Sequence, residues 1–160
     1  MVETVLTADG VWENLKTVKD PEVPALSIVD LKIVRNVRVD NDEVEVEITP
    51  TFVGCPALDM IAGMIGENLR SMGFRNVRVM KTFTAHWSTD MLDQAAKDNL
   101  KAFGIAPPAP SGEVTMELPT ICPYCDSADT KLENAFGATL CKQLYYCNSC
   151  RQSFEKFRTL

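Results

Sequence analysis

Two Cys-x-x-Cys pairs, Cys122 with Cys125 and Cys147 with Cys150, constrain the last third of this 160-residue chain more than any other feature. Each pair forms a tight turn that offers two sulfurs, and the 21 residues between them let the turns face each other around one tetrahedral metal. Ala138 to Tyr146 and Ser153 to Phe157 have the apolar and aromatic content of short strands. The pattern predicts a zinc ribbon whose turn amides point at the sulfurs. A fifth cysteine, Cys141, exceeds the four that close such a site and is expected as buried filler or a spare thiol. No histidine or carboxylate falls at ligand spacing, so the expected metal is structural. Iron fits the same four sulfurs, because spacing does not separate it from zinc.

Composition bounds the rest. The length suits one ordinary domain plus a small appendage. With 46% apolar and 24% charged residues, the chain reads as globular rather than disordered. No apolar run approaches the roughly 18 residues of a membrane span, and Met1 to Gly10 has no basic stretch of a signal peptide. The cysteines are set out as turns rather than spread among loops, which points to reduced thiols and a cytoplasmic location. The net charge of -6 argues against nucleic acid as a partner.

Along the chain, Val11, Trp12, Leu15 and Val18 recur at helical spacing and predict a helix over about 9–19, ended by Asp20-Pro21. Residues 33–40 and 43–49 alternate apolar and polar members about the turn Asp40-Asn41-Asp42, a hairpin with one wet face. Leu58, Ile61, Ile65, Leu69 and Met72 form a helical stripe that Gly73 stops. Val77, Val79 and Phe83 suggest a third strand, and 91–103 a further helix stopped by Gly104. The expected fold is α+β: a small mixed α/β sandwich (helix, β-hairpin, helix, strand, helix) followed by the ribbon. The expected boundaries are a first domain at 1–104, a Pro-rich linker at 105–119 and the ribbon at 120–160. Those last residues hold little core, so the metal is expected to supply folding free energy, on the order of 10 kcal/mol.

A lone upstream cysteine, Cys55, lies in Thr49-Pro50-Thr51-Phe52-Val53-Gly54-Cys55-Pro56, between a strand and a helix. Pro56 suits the first helical position and holds Cys55 in a non-helical conformation. There the thiol faces the positive end of the helix dipole, so its thiolate is expected to be favoured. Asp20-Pro21-Glu22 is expected at the same end of the sheet, where its acids would work against ionisation and suit transient iron coordination. The plain alternative is that Cys55 is a small buried hydrophobe and Asp20-Pro21-Glu22 only stops a helix.

DPEVPALSIVDL at 20–31, TPTFVGCP at 49–56 and WSTDM at 87–91 resemble the SufT-like domain of iron-sulfur assembly factors. LKAFGIAPP at 100–108 and the cysteine-bearing tail at 122–157 resemble the PaaD family of phenylacetate degradation. The resemblance implies an accessory component of the phenylacetyl-CoA 1,2-epoxidase system, without catalysis of its own, that assembles or delivers an iron-sulfur cluster. It implies a cluster-handling site at Cys55, Asp20, Glu22 and Thr51, and zinc at Cys122, Cys125, Cys147 and Cys150. The implied cargo is transient iron or an iron-sulfur cluster, and the implied partners are other epoxidase components, above all the iron-sulfur reductase subunit. A homodimer pairing two Cys55 thiols would supply further ligands. A thiol enzyme built on Cys55 and an adaptor built on the ribbon remain as alternatives.

The chain departs from that pattern in two places. Lys32 stands where such domains usually have glycine, and Ala85-His86 precedes Trp87 where proline is common. His86 is the one histidine, and Trp87 and Asp90 match the family motif, with packing as the expected role of the tryptophan.

Overall fold

Val44, Val46 and Ile48 alternate with Glu43, Glu45 and Glu47, and that period of two builds the first sheet. In the computed structural model, which describes residues 6–52, 54–84, 86–110 and 119–160, the three apolar side chains are buried and the glutamates face outward. Strand β1 (Val34–Asp40) pairs antiparallel with β2 (Glu43–Ile48). Asn41 at their turn has φ of 54°, a left-handed conformation that a short polar side chain tolerates. Helix α2 (Ala57–Ser71) then returns the chain, so that β3 (Asn76–Lys81) pairs parallel to β2 in the order β1-β2-β3. Leu58, Ile61, Ile65 and Leu69 form the buried stripe of α2. Full burial of such side chains contributes about 1.5–3 kcal/mol each. Gly73, at φ 110°, ends the return in a conformation that glycine adopts without strain.

Two boundaries differ from the sequence expectation. Helix α1 (Ala8–Leu15) is capped by the Thr7 hydroxyl, which accepts the Gly10 N–H at 3.1 Å, and it stops before Lys19. The Val18 carbonyl instead accepts the Ile28 N–H at 2.9 Å, and Lys19 bridges Ser27, so these residues hold the returning loop. Strand β3 ends at Lys81, which leaves Phe83 exposed beyond the sheet.

The chain divides into compact units at Met1–Trp87 and Ser88–Leu160. The expected last helix is shorter: Thr89–Met91 form a 3-10 turn, and α3 (Gln94–Ala102) starts after Asp93, whose carboxylate accepts the Ala96 N–H at 2.8 Å. Just beyond Gly104 the chain enters the second sheet. There Ile105–Ala106 form β4, paired parallel to β7 (Ser153–Phe157), so the start of the expected linker is strand. Residues 111–118 of that linker lie outside the described residues. The sheet continues through β6 (Lys142–Cys147) to β5 (Thr130–Asn134), in the order β4-β7-β6-β5. The strand expected from Ala138 begins at Lys142, a buried cation paired with Glu155 at 3.4 Å.

The fold class is thus α+β, with three α-helices and two sheets among the described residues. None of those helices is long and apolar enough to cross a membrane.

Lys32 keeps a glycine-like backbone, with φ of 57°. Its neighbour Leu31 is fixed, because the buried Trp87 ring donates its Nε1–H to the Leu31 carbonyl at 2.7 Å. A non-glycine residue in the left-handed region costs roughly 1–2 kcal/mol, and glycine returns part of that as unfolded-state entropy. Lys32→Gly is therefore expected to stabilise the first unit by about 1 kcal/mol. Both tryptophans, Trp12 and Trp87, lie in that unit, so urea unfolding followed by tryptophan fluorescence reads the change. Lys32→Val should shift the midpoint the other way.

Candidate cluster-handling site and four-cysteine metal centre

Parallel pairing brings the carboxyl ends of β2 and β3 to one end of the first sheet, where antiparallel β1 begins. The Ile33 carbonyl accepts the Thr49 N–H at 2.9 Å, and the Ile48 carbonyl accepts the Thr82 N–H at 2.8 Å. The carboxyl ends of parallel strands are where open α/β sheets place binding residues. From that end, Thr49 to Pro56 lead into α2. Gly54 has φ of 84°, and a Cβ there would meet nothing within 4 Å, so the backbone demands glycine while the surface beside Cys55 stays open.

Cys55 is half-buried rather than enclosed. Its sulfur accepts the Ala57 N–H at the start of α2 and the hydroxyl of Thr51. Glu22 and Asp20 act on it electrostatically, so all four residues expected at this site meet at one end of the sheet. Asp20 itself is buried, and its Oδ1 accepts the Glu22 N–H at 2.7 Å and the Val23 N–H at 2.9 Å. The carboxylate thereby shapes the loop that carries Glu22, a second role that the sequence pattern did not disclose.

The expectation of a favoured thiolate is overturned. Burial pushes the Cys55 thiol above its ordinary value, the Glu22 and Asp20 carboxylates add to that, and the Ala57 and Thr51 donors do not offset it. The helix N-terminus is present, but desolvation wins. At neutral pH the group is a thiol. The remaining motif residues divide by burial: His86 and Asp90 are exposed, whereas Trp87 is core.

In the second unit, both cysteine pairs form the same turn. The Cys122 carbonyl accepts the Asp126 N–H at 3.0 Å, and the Cys122 N–H donates to the Ser127 carbonyl at 2.9 Å. In the other pair, the Cys147 carbonyl accepts the Arg151 N–H at 2.9 Å, and the Cys147 N–H donates to the Gln152 carbonyl at 2.9 Å. Asp126 and Arg151 are both left-handed, at φ 61° and 59°. Sequence reasoning missed these two, though each directly follows the second cysteine of its pair, and that shared offset was the available signal. The turns are tied together by the Ser127 and Ser149 hydroxyls at 2.7 Å and by the Asn148 amide on the Asp129 carboxylate at 2.8 Å.

The four sulfurs lie within 4.8 Å of one another, with Cys122 to Cys150 at 3.7 Å and Cys125 to Cys147 at 3.6 Å. A tetrahedron with metal–sulfur bonds of about 2.3 Å has edges of about 3.8 Å, so the sulfur set fits a metal of that kind. Backbone donors prepare it. The Cys150 N–H holds the Cys147 thiol down to about 7, while burial and the neighbouring sulfurs push Cys150 up to about 12. The Ser127 N–H favours the Cys125 thiolate, yet burial and the Cys147 sulfur together keep that thiol raised. Cys141 is buried outside the cluster, its sulfur 3.1 Å from the Thr139 hydroxyl, as expected for filler.

Comparison with known proteins divides the chain in the same sense. Residues 8–80 match the family model described as iron-sulfur cluster assembly protein, and residues 106–158 match the PaaD zinc beta ribbon domain. A protein of Escherichia coli (strain K12), provisionally named as a component of 1,2-phenylacetyl-CoA epoxidase, is 38% identical over 151 residues, covering 94% of this chain and 92% of the relative. An Fe-S protein maturation auxiliary factor of Porphyromonas gingivalis (strain ATCC BAA-308 / W83) is 34% identical over 96 residues, 59% of this chain and 90% of that protein. Among solved structures, a domain of unknown function from Bacillus anthracis aligns with TM-score 0.53 and 27% identity, over 57% of this chain and 89% of that one. A conserved hypothetical protein from Thermotoga maritima aligns with TM-score 0.52 and 29% identity, over 59% and 94%. With its iron-sulfur assembly domain, its four-cysteine ribbon and a relative alike over nearly the full length of both chains, the chain belongs to the PaaD family.

Proposed function

We propose that this protein is an accessory maturation factor that takes up iron or an iron-sulfur cluster at Cys55 and passes it to a component of a phenylacetyl-CoA epoxidase. The observation that carries the reading is the convergence of half-exposed Cys55, Thr51, Asp20 and Glu22 at one end of the sheet. The names of the Escherichia coli and Porphyromonas gingivalis relatives support it.

The residues suggest a sequence of events. The carboxylates of Glu22 and Asp20 draw a cationic cargo toward the sulfur. Binding of the cargo displaces the thiol proton to solvent, and the Thr51 hydroxyl and Ala57 N–H keep the resulting thiolate oriented. With a single sulfur the grip is loose, so a recipient offering several thiolates takes the cargo by ligand exchange; permanent clusters are held by three or four cysteines. The iron-sulfur reductase subunit of the epoxidase is the proposed recipient, in the cytoplasm, and a second copy of the chain would contribute a second Cys55. The raised thiol speaks against the rival enzyme reading, because a nucleophilic cysteine needs a lowered value or an adjacent base.

In the ribbon, Cys122, Cys125, Cys147 and Cys150 are proposed to hold zinc. Bound there, zinc supplies a closed structural cross-link and no open position for chemistry.

Cys55→Ser in a strain growing on phenylacetate is expected to abolish or severely slow growth while the protein accumulates normally. Unchanged growth would favour an adaptor working through the ribbon alone. For the second centre, elemental analysis should find about one zinc per chain. Zinc needs thiolates, and Cys125 and Cys150 both give up a proton on binding, so affinity is present at high pH and lost as pH falls. Between pH 8 and 6 it should drop at least about a hundredfold per pH unit, read by competition with a chromophoric chelator.

A further inference from the structure

Helix α3 is nine residues long, and of its side chains only Ala96 and Leu100 are buried. Isolated helices shorter than about 12–15 residues are marginal in water, so the Asp93 cap and a Gln94 to Asp98 side-chain bond at 2.9 Å leave it in need of tertiary support.

The first cysteine turn gives such support at the last turn of the helix and just beyond it. Lys101, in the last helical turn, pairs with Asp126 at 2.5 Å, and Asp126 is the left-handed residue that follows Cys125. Gly104, at φ 87°, lies against the ring of Tyr124, a residue between the two cysteines. A Cβ at Gly104 would stand 2.8 Å from the Tyr124 hydroxyl oxygen and 3.0 Å from its Cε1. Two residues on, Ala106 of β4 is buried in one apolar cluster with Cys122, Cys147 and Phe154. Residues 101–106 thus touch the metal turns at an ion pair, a ring on backbone and a shared core.

We propose that α3 reports the state of the four-cysteine centre: with metal bound the first turn is closed and the helix is held, and with metal lost the helix and β4 are released. The contacts explain the direction. Asp126 and Arg151 are held in the left-handed conformation that non-glycine residues seldom adopt, and when the sulfurs no longer share a metal that conformation has less to hold it. When the first turn relaxes, Tyr124 and Asp126 move together, because one lies between its cysteines and the other follows them. Anything that strips the metal, a chelator or an oxidant of thiolates, would then change the order of 94–106, well before the cysteines in sequence. This rests on the ribbon holding a metal, as proposed above.

Hydrogen exchange on the full chain tests it. Comparing zinc-loaded protein with protein stripped by a chelator in reducing buffer, amides of 94–106 should exchange at least tenfold faster in the stripped form, together with 122–127, while α2 is unchanged. Tyr124→Ser and Lys101→Ala should retain zinc yet speed exchange in 94–106 severalfold, which keeps the test decisive should stripped protein aggregate. Unchanged α3 in the stripped chain, loss of protection extending through α2, or variants that exchange like the parent would each overturn the coupling. Elemental analysis separates the premise: a chain that never binds zinc refutes the metal centre itself.

Discussion

Parallel pairing of β2 with β3 is the constraint on which the first unit depends. It requires a crossover, which α2 supplies, and the crossover needs its loop at the carboxyl end of β2. Cys55 sits in that loop. The same pairing leaves the start of β1 and the segment after β3 at that end, where Thr49 and Thr82 hydrogen-bond to neighbouring strands. The stripe from Leu58 to Leu69 is therefore more than core, because its burial fixes where α2 starts and which backbone N–H groups reach the cysteine.

The two sulfur sites follow opposite logic. At Cys55, burial and two carboxylates keep a single thiol protonated, and only a strongly bound cation would displace the proton. In the ribbon, four sulfurs within 4.8 Å share backbone donors, and the geometry is already that of a tetrahedral edge. The first arrangement accords with the proposed passage of a cargo, the second with the proposed retention of a metal. Their separation along the chain matches the division at Trp87, with each unit carrying one of them.

Much of the fold was legible because it rests on short-range patterns. The alternation in β1 and β2, the stripe of α2 and the stops at Gly73 and Gly104 each reflect a local period or a left-handed residue. The start of the second sheet was not. Proline content around 105–110 resembles a linker, and only pairing with Glu155 and Lys156, some fifty residues away, shows Ile105–Ala106 to be strand. Lys32 was visible as a departure from glycine, but its cost became clear only with a φ of 57°. For Cys55 the helix terminus was predictable, whereas the extent of burial was not, and burial decided the sign of its shift.

By itself the sequence determined the two Cys-x-x-Cys turns and the α+β class, since spacing, period and turn chemistry act between near neighbours. Tertiary structure decided the protonation of the Cys55 thiol, the second duty of Asp20 as a backbone acceptor and the attachment of α3 to the cysteine turns. Those depend on desolvation and on contacts between residues distant in sequence, and such quantities exist only once the chain has closed around them.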